Sequence, residues 1–316
     1  MAHEVETMAY AGEVPWHGLG TPVSNDLTPA QMMQKAGLDW QVEKQDLVTT
    51  GGATVEGKQA LVRSSDNKVL DVIGKGWNPV QNEEAFEFFS EYVLAGDMEM
   101  HTAGSLKGGK MVWGLAKVKE SFDILGGDQM DSYLLFSNPH QYGKSIDVRF
   151  TPIRVVCNNT LTFSLGQTVS NSVSLNHRTQ FNPESVKEML GIASEKFATY
   201  KETAEFLSSK RFTVDSLVQY YSEVFPRTYQ GKKEIDVKTI EDLTTNAKKA
   251  YEVLETQPGA EFGEGTWWQA LNSVTYLTDH KMGREADTRL TSAWFGANQS
   301  RKVKAVEKAV EYALAS

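Results

Sequence analysis

The chain has 316 residues, of which 40% are hydrophobic and 23% charged, and its formal net charge is −9. This length favours two domains, and the composition is that of a globular protein rather than of a disordered, collagen-like or coiled-coil chain. No apolar run approaches the roughly 20 residues that cross a bilayer, so the sequence predicts no membrane partner. The first residues lack the pattern of a secretory signal, and the single cysteine, Cys157, has no partner for an intramolecular disulfide. We therefore expect a cytoplasmic protein.

The charge is unevenly distributed along the chain. Residues 1–100 carry a net charge of −10, whereas residues 101–120 and 141–180 each carry +3. Because salt screens charges that lie more than about 10 Å apart, a short basic segment binds phosphate even in an acidic protein. We expect any nucleic-acid contact to use the two basic segments, while the acidic first hundred residues face elsewhere or repel the nucleic acid.

The first half of the chain has the short alternating patterns of β-strands. Thr28-Pro29 begins a short helix that runs to Lys35, and Asn82 is predicted to cap a second helix. Three strands separated by turns lie between these helices, which gives a local order β-β-β-α. Residues 153–165 fit either a strand or a helix. The predicted strands cover residues 40–50, 60–62, 69–73, 101–103, 111–118, 133–136, 146–150 and 173–175.

The second half has the longer period of helices, because apolar residues recur there every three or four positions. The pattern predicts helices over residues 182–207, 237–254, 267–277 and 303–313. An antiparallel β-rich N-terminal half followed by a mainly helical C-terminal half is an α+β protein. We predict a β-rich α+β domain over residues 1–180 and a helical region over residues 181–316 that packs on it.

One segment matches a phosphate-binding loop in its letters but not in its context. Residues 104–111 follow the pattern G-x-x-x-x-G-K, but Met111 replaces the serine or threonine that would hold magnesium. The pattern also requires a following helix, and the residues after it alternate like a strand. We predict a hairpin turn here and no nucleotide cofactor.

The sequence contains no strong catalytic or metal-binding pattern. No two histidines have the spacing of four that would place them on one helix face, and there is no Cys-x-x-Cys. Cys157 lies in an apolar run and is predicted to be an inert buried side chain. Asp128 and Asp131 are of the type that binds magnesium in a nuclease, but beside two glycines they are more simply a solvated turn. We assign no catalytic residue, no metal and no cofactor, and we favour a non-enzymatic protein.

The two basic segments contain the candidate binding residues. Arginine and lysine suit phosphate and aromatic rings suit base stacking, which is the composition of a groove for single-stranded nucleic acid. Salt bridges and turn caps are the structural alternative for the same residues. Tyr142 or His177 would stack on bases. The candidate nucleic-acid-binding residues are Lys107, Lys110, Tyr142, Lys144, Arg149, Arg154, Asn158, His177 and Arg178.

Five segments occur in an order that is typical of a known family. They are PWHGLGT at residues 15–21, RVVCNNTL at 154–161, NHR at 176–178, WQALNSVT at 268–275 followed by His280, and WFG at 294–296. With these segments the chain resembles a family of phage/plasmid-like proteins that is catalogued as a domain of unknown function. The resemblance implies a mobile-element origin and a location in the cytoplasm of a bacterial host cell. It supplies no activity, cofactor or catalytic residue.

The β-β-β-α order with a basic strip is also similar to the single-strand annealing proteins of phage recombination, the class that includes Rad52-like folds. Proteins of that class hold the DNA backbone in a groove around a ring or helical oligomer and hydrolyse no nucleotide. The similarity implies a homo-oligomer that binds or anneals single-stranded DNA in recombination or replication. Two alternatives stay open: a metal-dependent nuclease, and a protein that binds a host factor as an inhibitor or a DNA mimic.

Overall fold

The structure is a computed structural model in which the chain forms two compact units. Unit 1 comprises Met1–Lys119, Ser132–Phe150 and Ser172–Ala193, and unit 2 comprises Glu120–Asp131, Thr151–Asn171 and Ser194–Ser316. The predicted domain boundary between residues 180 and 181 falls outside the described residues and stays a prediction. The structure describes residues 5–12, 19–124, 127–154, 159–160, 172–175, 177, 182, 199–227, 237–283 and 286–316.

The described strands form two sheets. In chain order the strands are β1 (Val5–Ala11), β2 (Thr21–Val23), β3 (Val42–Val48), β4 (Thr54–Arg63), β5 (Val69–Gly74), β6 (Met98–Leu106), β7 (Met111–Ile124), β8 (Asp128–Pro139), β9 (Ile146–Arg154), β10 (Asn159–Thr160) and β11 (Ser172–Leu175). The larger sheet has the order β10-β9-β8-β7-β6-β1-β2, with β11 also paired to β9, and the smaller has the order β3-β4-β5. Strands β1 and β2 pair in parallel, whereas β1 with β6, β6 with β7 and all pairs of the smaller sheet are antiparallel.

Most of the helices lie in the second half of the chain. They are α1 (Pro29–Lys35), α2 (Asn82–Glu87), α3 (Ser90–Ala95), α4 (residues 199–209), α5 (Val214–Val224), α6 (Thr245–Glu252), α7 (Trp267–Tyr276), α8 (Ala286–Phe295) and α9 (Ala297–Ala315). The predicted α+β class, with a β-rich first half and a helical second half, is confirmed. Among the described helices, none is both long enough and apolar enough to cross a membrane.

The core of unit 1 lies between its helices and the larger sheet. Helix α1 begins where the sequence predicts, because the Thr28 hydroxyl accepts a hydrogen bond from the Gln31 amide at 3.2 Å. Met32 of α1 and Phe89 at the start of α3 are fully buried, and they share one apolar cluster with Phe136 of β8. This packing fixes the strands whose turns carry the candidate site.

The core of unit 2 is built around α7. The Thr266 hydroxyl caps this helix, and every residue from Trp267 to Thr275 is buried. Helix α7 contacts α6 and α9. The ends of β7 and β8 belong to the same unit and contribute Ile124 and Met130 to its apolar cluster.

Several element boundaries differ from the sequence prediction. Asn82 does not cap α2: Gln81 is the N-cap, and the Asn82 side chain is buried. The helix predicted over residues 237–254 is interrupted, because Thr244 accepts a hydrogen bond from the Ala247 amide at 3.3 Å and so caps α6. Strands β1 and β2 are not predicted at all. The predicted helix from residue 182 lies mostly outside the described residues, and its described end is α4.

Candidate functional site

The two basic segments of the sequence meet at one end of unit 1. The turn at residues 107–110 joins β6 to β7, as predicted, and the loop at residues 140–145 joins β8 to β9. The two are adjacent, because the His140 amide donates a hydrogen bond to the Lys110 carbonyl oxygen at 2.9 Å. We name this region, formed by the turn 107–110, the loop 140–145 and Lys68, the basic end of unit 1.

The smaller sheet borders the basic end. It carries Lys68 in the turn between β4 and β5 and places Lys58 of β4 next to Tyr142. The Tyr142 amide donates to Asp71 Oδ2 of β5 at 2.8 Å, and Lys58 Nζ of β4 lies 5.7 Å from the centroid of the Tyr142 ring. The Lys68 ammonium lies directly against Gly108 of the β6–β7 turn. Sequence patterns miss both lysines, because they lie in the acidic first hundred residues and only the folded sheet brings them here.

Two carboxylates neutralise part of the charge at the basic end. Arg63, only 8% exposed, donates hydrogen bonds to Glu6 Oε2 at 2.7 Å and to Asp66 Oδ2 at 2.6 Å. These hydrogen bonds lower the pKa of Glu6 and hold the pKa of Asp66 at about 2. The expectation that the acidic first hundred residues face elsewhere is therefore wrong at this place, because Arg63 anchors both carboxylates beside the lysines.

Four of the predicted binding residues are accessible at the basic end. The Tyr142 side chain is 54% exposed. Lys107 and Lys144 are exposed and Lys110 is half-buried. In the part of the chain that the structure describes, none of these three lysines forms an ion pair. Their charge is therefore available to an anion.

The predicted arginines differ from these lysines in their surroundings. Arg149 donates from Nε to Asp147 Oδ1 at 3.0 Å and forms a second, shorter contact with the same carboxylate. Arg154 is the last residue of β9 and belongs to unit 2. Asn158 and Arg178 lie outside the described residues. Arg149 is therefore already paired with a carboxylate of its own strand.

His177 is buried rather than presented to a ligand. Its ring stacks on Trp77 at a centroid distance of 4.0 Å and is 2% exposed. Nδ1 lies 3.1 Å from the Asn78 carbonyl oxygen, so this nitrogen carries the hydrogen. Burial lowers the pKa of His177 to about 4, although the carbonyls of Asn78 and Pro139 favour its charged form. The ring is neutral at pH 7, and one of its faces is covered by Trp77.

His140, at the start of the loop 140–145, is also buried and neutral. Its Nε2 lies 3.1 Å from Asn82 Oδ1, and the Asn82 amide nitrogen donates to the Leu38 carbonyl at 2.9 Å. Because the Asn82 oxygen must accept, His140 carries its hydrogen on Nε2. Burial and, to a smaller extent, the nearby His177 lower the pKa of His140 to about 3. This pair of neutral histidines supports the loop that carries Tyr142 and Lys144.

The polar groups of unit 2 are buried against helix α7. Trp268 Nε1 donates to Asp128 Oδ2 at 2.9 Å, and the Asp128 side chain is fully buried. The simpler interpretation of Asp128 and Asp131 as a solvated turn is therefore wrong, because both lie buried in β8. Among the residues that the structure describes, no group of three or more His, Cys, Asp or Glu side chains is arranged to hold a metal ion.

A π-helical turn follows α7 at Leu277–Lys281, and it carries a buried ion pair. Lys302 Nζ of α9 lies 2.8 Å from Asp279 Oδ1, and both side chains are at most 1% exposed. Asn298 of α9 donates to the Thr278 carbonyl at 3.1 Å. These bonds join the π-helical turn to α9. They involve part of the segment 268–280 on which the sequence resemblance depends.

The comparisons with known proteins give one match. Residues 69–304 match the family model described as "Domain of unknown function (DUF932)", which is about three quarters of the chain. The matched region includes both turns of the basic end and the whole of α7 and its π-helical turn. No curated protein matches the chain, and no solved structure matches it.

Proposed function

The chain belongs to the DUF932 family, which is defined by a domain of unknown function, and we propose that it binds single-stranded DNA without cleaving it. The observation that carries the proposal is the meeting of the two basic segments at one end of unit 1, where the His140 amide bonds the Lys110 carbonyl at 2.9 Å. The resemblance to phage/plasmid-like proteins supports a role in the recombination or replication of a mobile element.

Phosphate contacts form the first part of the proposed interface. Lys107, Lys110 and Lys144 form no ion pair among the described residues, and Lys58 adds a fourth such charge from β4. Lysine ammonium groups bind backbone phosphates without regard to sequence and release counterions when they do so. Arg149 contributes less in this proposal, because Asp147 already neutralises it. The roles predicted for Arg154, Asn158 and Arg178 stay part of the proposal.

Base stacking forms the second part of the interface. The Tyr142 ring is 54% exposed, and its backbone is fixed by the hydrogen bond to Asp71 at 2.8 Å. A base stacked on this ring would bring its flanking phosphates near Lys58 and Lys144. Stacking on an exposed aromatic side chain contributes about 1–3 kcal/mol per base. Tyr142 is therefore the stacking residue of the proposal, in preference to the buried His177.

Binding of a labelled oligothymidylate, followed by fluorescence anisotropy, tests the proposal. We expect the affinity to fall roughly 10–50-fold between about 50 and about 200 mM salt, because about four lysines contact phosphates. Tyr142→Ala should weaken binding about tenfold through the lost stacking, whereas Tyr142→Phe keeps the ring and should bind normally. No binding at about 50 mM salt with the protein in micromolar excess would contradict the proposal.

The same samples separate the alternatives. DNA cleavage that requires a divalent metal and is lost in Asp128→Asn would favour the nuclease. Capture of a host protein that displaces no DNA would favour the host-factor binder. The homo-oligomer is part of the proposal through the similarity to annealing proteins, and light scattering with and without DNA measures it.

A further inference from the structure

We propose that the β6–β7 turn, residues 107–110, is a site for a phosphomonoester dianion, in particular the 5′-phosphate end of a DNA strand. The identity of the ligand as a DNA end rests on the proposed function. The binding of a phosphate group by backbone amides and lysines is argued from the turn alone.

The turn backbone is the first part of the proposed site, and Gly109 within it is buried beside Arg63 and Glu6. Lys107, Gly108 and Gly109 have φ angles of +54°, +66° and +87°, three consecutive residues in the left-handed region. Within the described residues, the amides of residues 107–110 donate to no acceptor. Successive unbonded amides in a tight turn form a concave group of donors that binds anions.

Lys107 adopts its backbone conformation at a cost. A left-handed conformation is sterically unfavourable for lysine, whereas glycine and asparagine adopt it readily. In the described part of the chain, the other non-glycine residue with this conformation is Asn67, in the turn between β4 and β5 that carries Lys68. The two turns touch, because Lys68 lies against Gly108. Strain of this kind is often found at ligand sites.

Lys68, Lys107 and Lys110 supply the positive charge of these two turns. The Lys68 ammonium lies where a Cβ of Gly108 would be, so only glycine lets the charge approach the backbone this closely. Lys107 and Lys110 flank the two glycines. Lys68 Nζ lies 3.9 Å from Glu6 Oε1, and the Lys68 side chain is 41% exposed. Lys68 is therefore weakly paired and accessible to a ligand.

The carboxylates nearby do not cancel this charge. Arg63 forms ion pairs with both carboxylates, from Nη1 to Glu6 Oε2 at 2.7 Å and from Nη2 to Asp66 Oδ2 at 2.6 Å. Its charge therefore offsets part of theirs. Counting Arg63 with these two carboxylates and the three lysines leaves a net charge of +2. A phosphomonoester carries close to two negative charges at neutral pH, whereas a backbone phosphodiester carries one. The site therefore matches the monoester better.

Residues 104–110 match the pattern G-x-x-x-x-G-K, but they bind phosphate in this proposal through a hairpin turn and not through a nucleotide-binding loop. The second glycine and the lysine of the pattern, Gly109 and Lys110, form part of a hairpin turn rather than the start of a helix. The donors are the amides of that turn, and the second charge comes from Lys68 on another hairpin.

Two oligothymidylates that differ only in a 5′-phosphate test the site by isothermal titration calorimetry. We expect the phosphorylated strand to bind about tenfold more tightly to the wild-type protein, as charge-assisted hydrogen bonds to one added group would give. Lys68→Gln and Lys107→Asn should abolish that difference. Asparagine tolerates the left-handed conformation, so Lys107→Asn removes the charge and keeps the turn. Lys249→Gln, on an exposed position of α6, is the matched control and should retain the difference.

A second arm uses inorganic phosphate and thymidine 5′-monophosphate as probes, with the amide resonances of Gly108 and Gly109 followed by NMR. Shifts with both probes that are lost in Lys68→Gln support the phosphate site whatever its source. Shifts together with equal affinity for the two strands would retain a free-phosphate site and overturn the DNA end. Equal affinity without shifts overturns the inference but leaves the DNA-binding surface intact. Absence of binding to both strands contradicts the proposed function, and the shifts then decide the phosphate site alone.

Discussion

The basic end of unit 1 and the π-helical turn of unit 2 hold their charged side chains in opposite environments. At the basic end of unit 1, Lys107 and Lys144 project from turns as exposed charges without an ion pair among the described residues. In unit 2 the charges of Asp279 and Lys302 pair with each other in the interior, at most 1% exposed. Buried, paired charges specify one arrangement of helices, whereas exposed, unpaired charges are available to a ligand. We therefore expect substitutions at the buried ion pair of unit 2 to change the free energy of unfolding, and substitutions at the basic end to change the affinity for DNA.

The largest effect on stability is expected at the buried ion pair of unit 2. Lys302→Met should lower the free energy of unfolding by about 3–5 kcal/mol, because it leaves the Asp279 carboxylate buried without its ammonium partner. Chemical denaturation followed by circular dichroism of the helices measures the change. The double variant Lys302→Met/Asp279→Leu should recover most of the loss. A single variant as stable as the wild-type protein would contradict the role given to this pair.

Acid should destabilise unit 1 through its two buried histidines. The pKa values of His140 and His177 in the folded state, about 3 and about 4, lie below the ordinary value of 6.5. The unfolded chain therefore binds protons first, and stability is lost as the pH falls from about 6.5 towards 4, on the order of 3 kcal/mol for each histidine. Hydrogen exchange of the strand amides of unit 1 measures this loss. His140→Gln keeps a donor for Asn82 and should remove part of it; an unchanged pH profile would show that His140 does not titrate in this way.

A smaller effect is expected where Trp268 binds Asp128. Trp268→Phe keeps an aromatic side chain but removes buried volume together with the N–H that donates to Asp128 at 2.9 Å. The loss of one hydrogen bond to a buried carboxylate should cost about 2 kcal/mol. Denaturation of this variant beside Trp267→Phe isolates the hydrogen bond, because Trp267 is a buried tryptophan of the same helix whose N–H donates to no acceptor among the described residues. Equal stability of the two variants would contradict it.

The smallest effect on stability is expected at the basic end itself. Lys107→Asn should leave the free energy of unfolding within about 0.5 kcal/mol of the wild type or raise it slightly, because Lys107 forms no ion pair there and asparagine relieves the left-handed strain. Thermal unfolding measures the change. A loss of more than about 1 kcal/mol would show that Lys107 serves the fold rather than a ligand.

Local sequence patterns predict much of this fold. The strands β3, β4 and β5 and the helices α7 and α9 follow the expected periodicities, and the β6–β7 hairpin follows from the alternation after Gly109. Local sequence patterns fail to predict a side chain's role where a residue distant in the chain binds that side chain. Asn82 looks like a helix cap, but His140 and the Leu38 carbonyl, 58 and 44 residues away, draw its side chain inward.

The candidate site is predictable only in part for the same reason. The basic segments identify Lys107, Lys110, Tyr142 and Lys144, because each segment has a local excess of positive charge. Lys68 lies among acidic residues, and only the approach of the β4–β5 turn to Gly108 makes it part of the site. Asp128 looks solvent-exposed beside Gly127, but it is buried and accepts a hydrogen bond from the indole of Trp268, 140 residues away.

We expect the lysines of the basic end, and not the net charge of the whole chain, to determine the affinity for single-stranded DNA. Two triple variants with the same change of charge test it: Lys107→Gln/Lys110→Gln/Lys144→Gln in unit 1, and Lys201→Gln/Lys249→Gln/Lys281→Gln at exposed positions of unit 2. The measurement is the slope of log affinity for oligothymidylate against log salt. We predict that the unit 1 variant lowers the slope by about 2 and that the unit 2 variant leaves it unchanged. Equal slopes for the two variants would contradict the account.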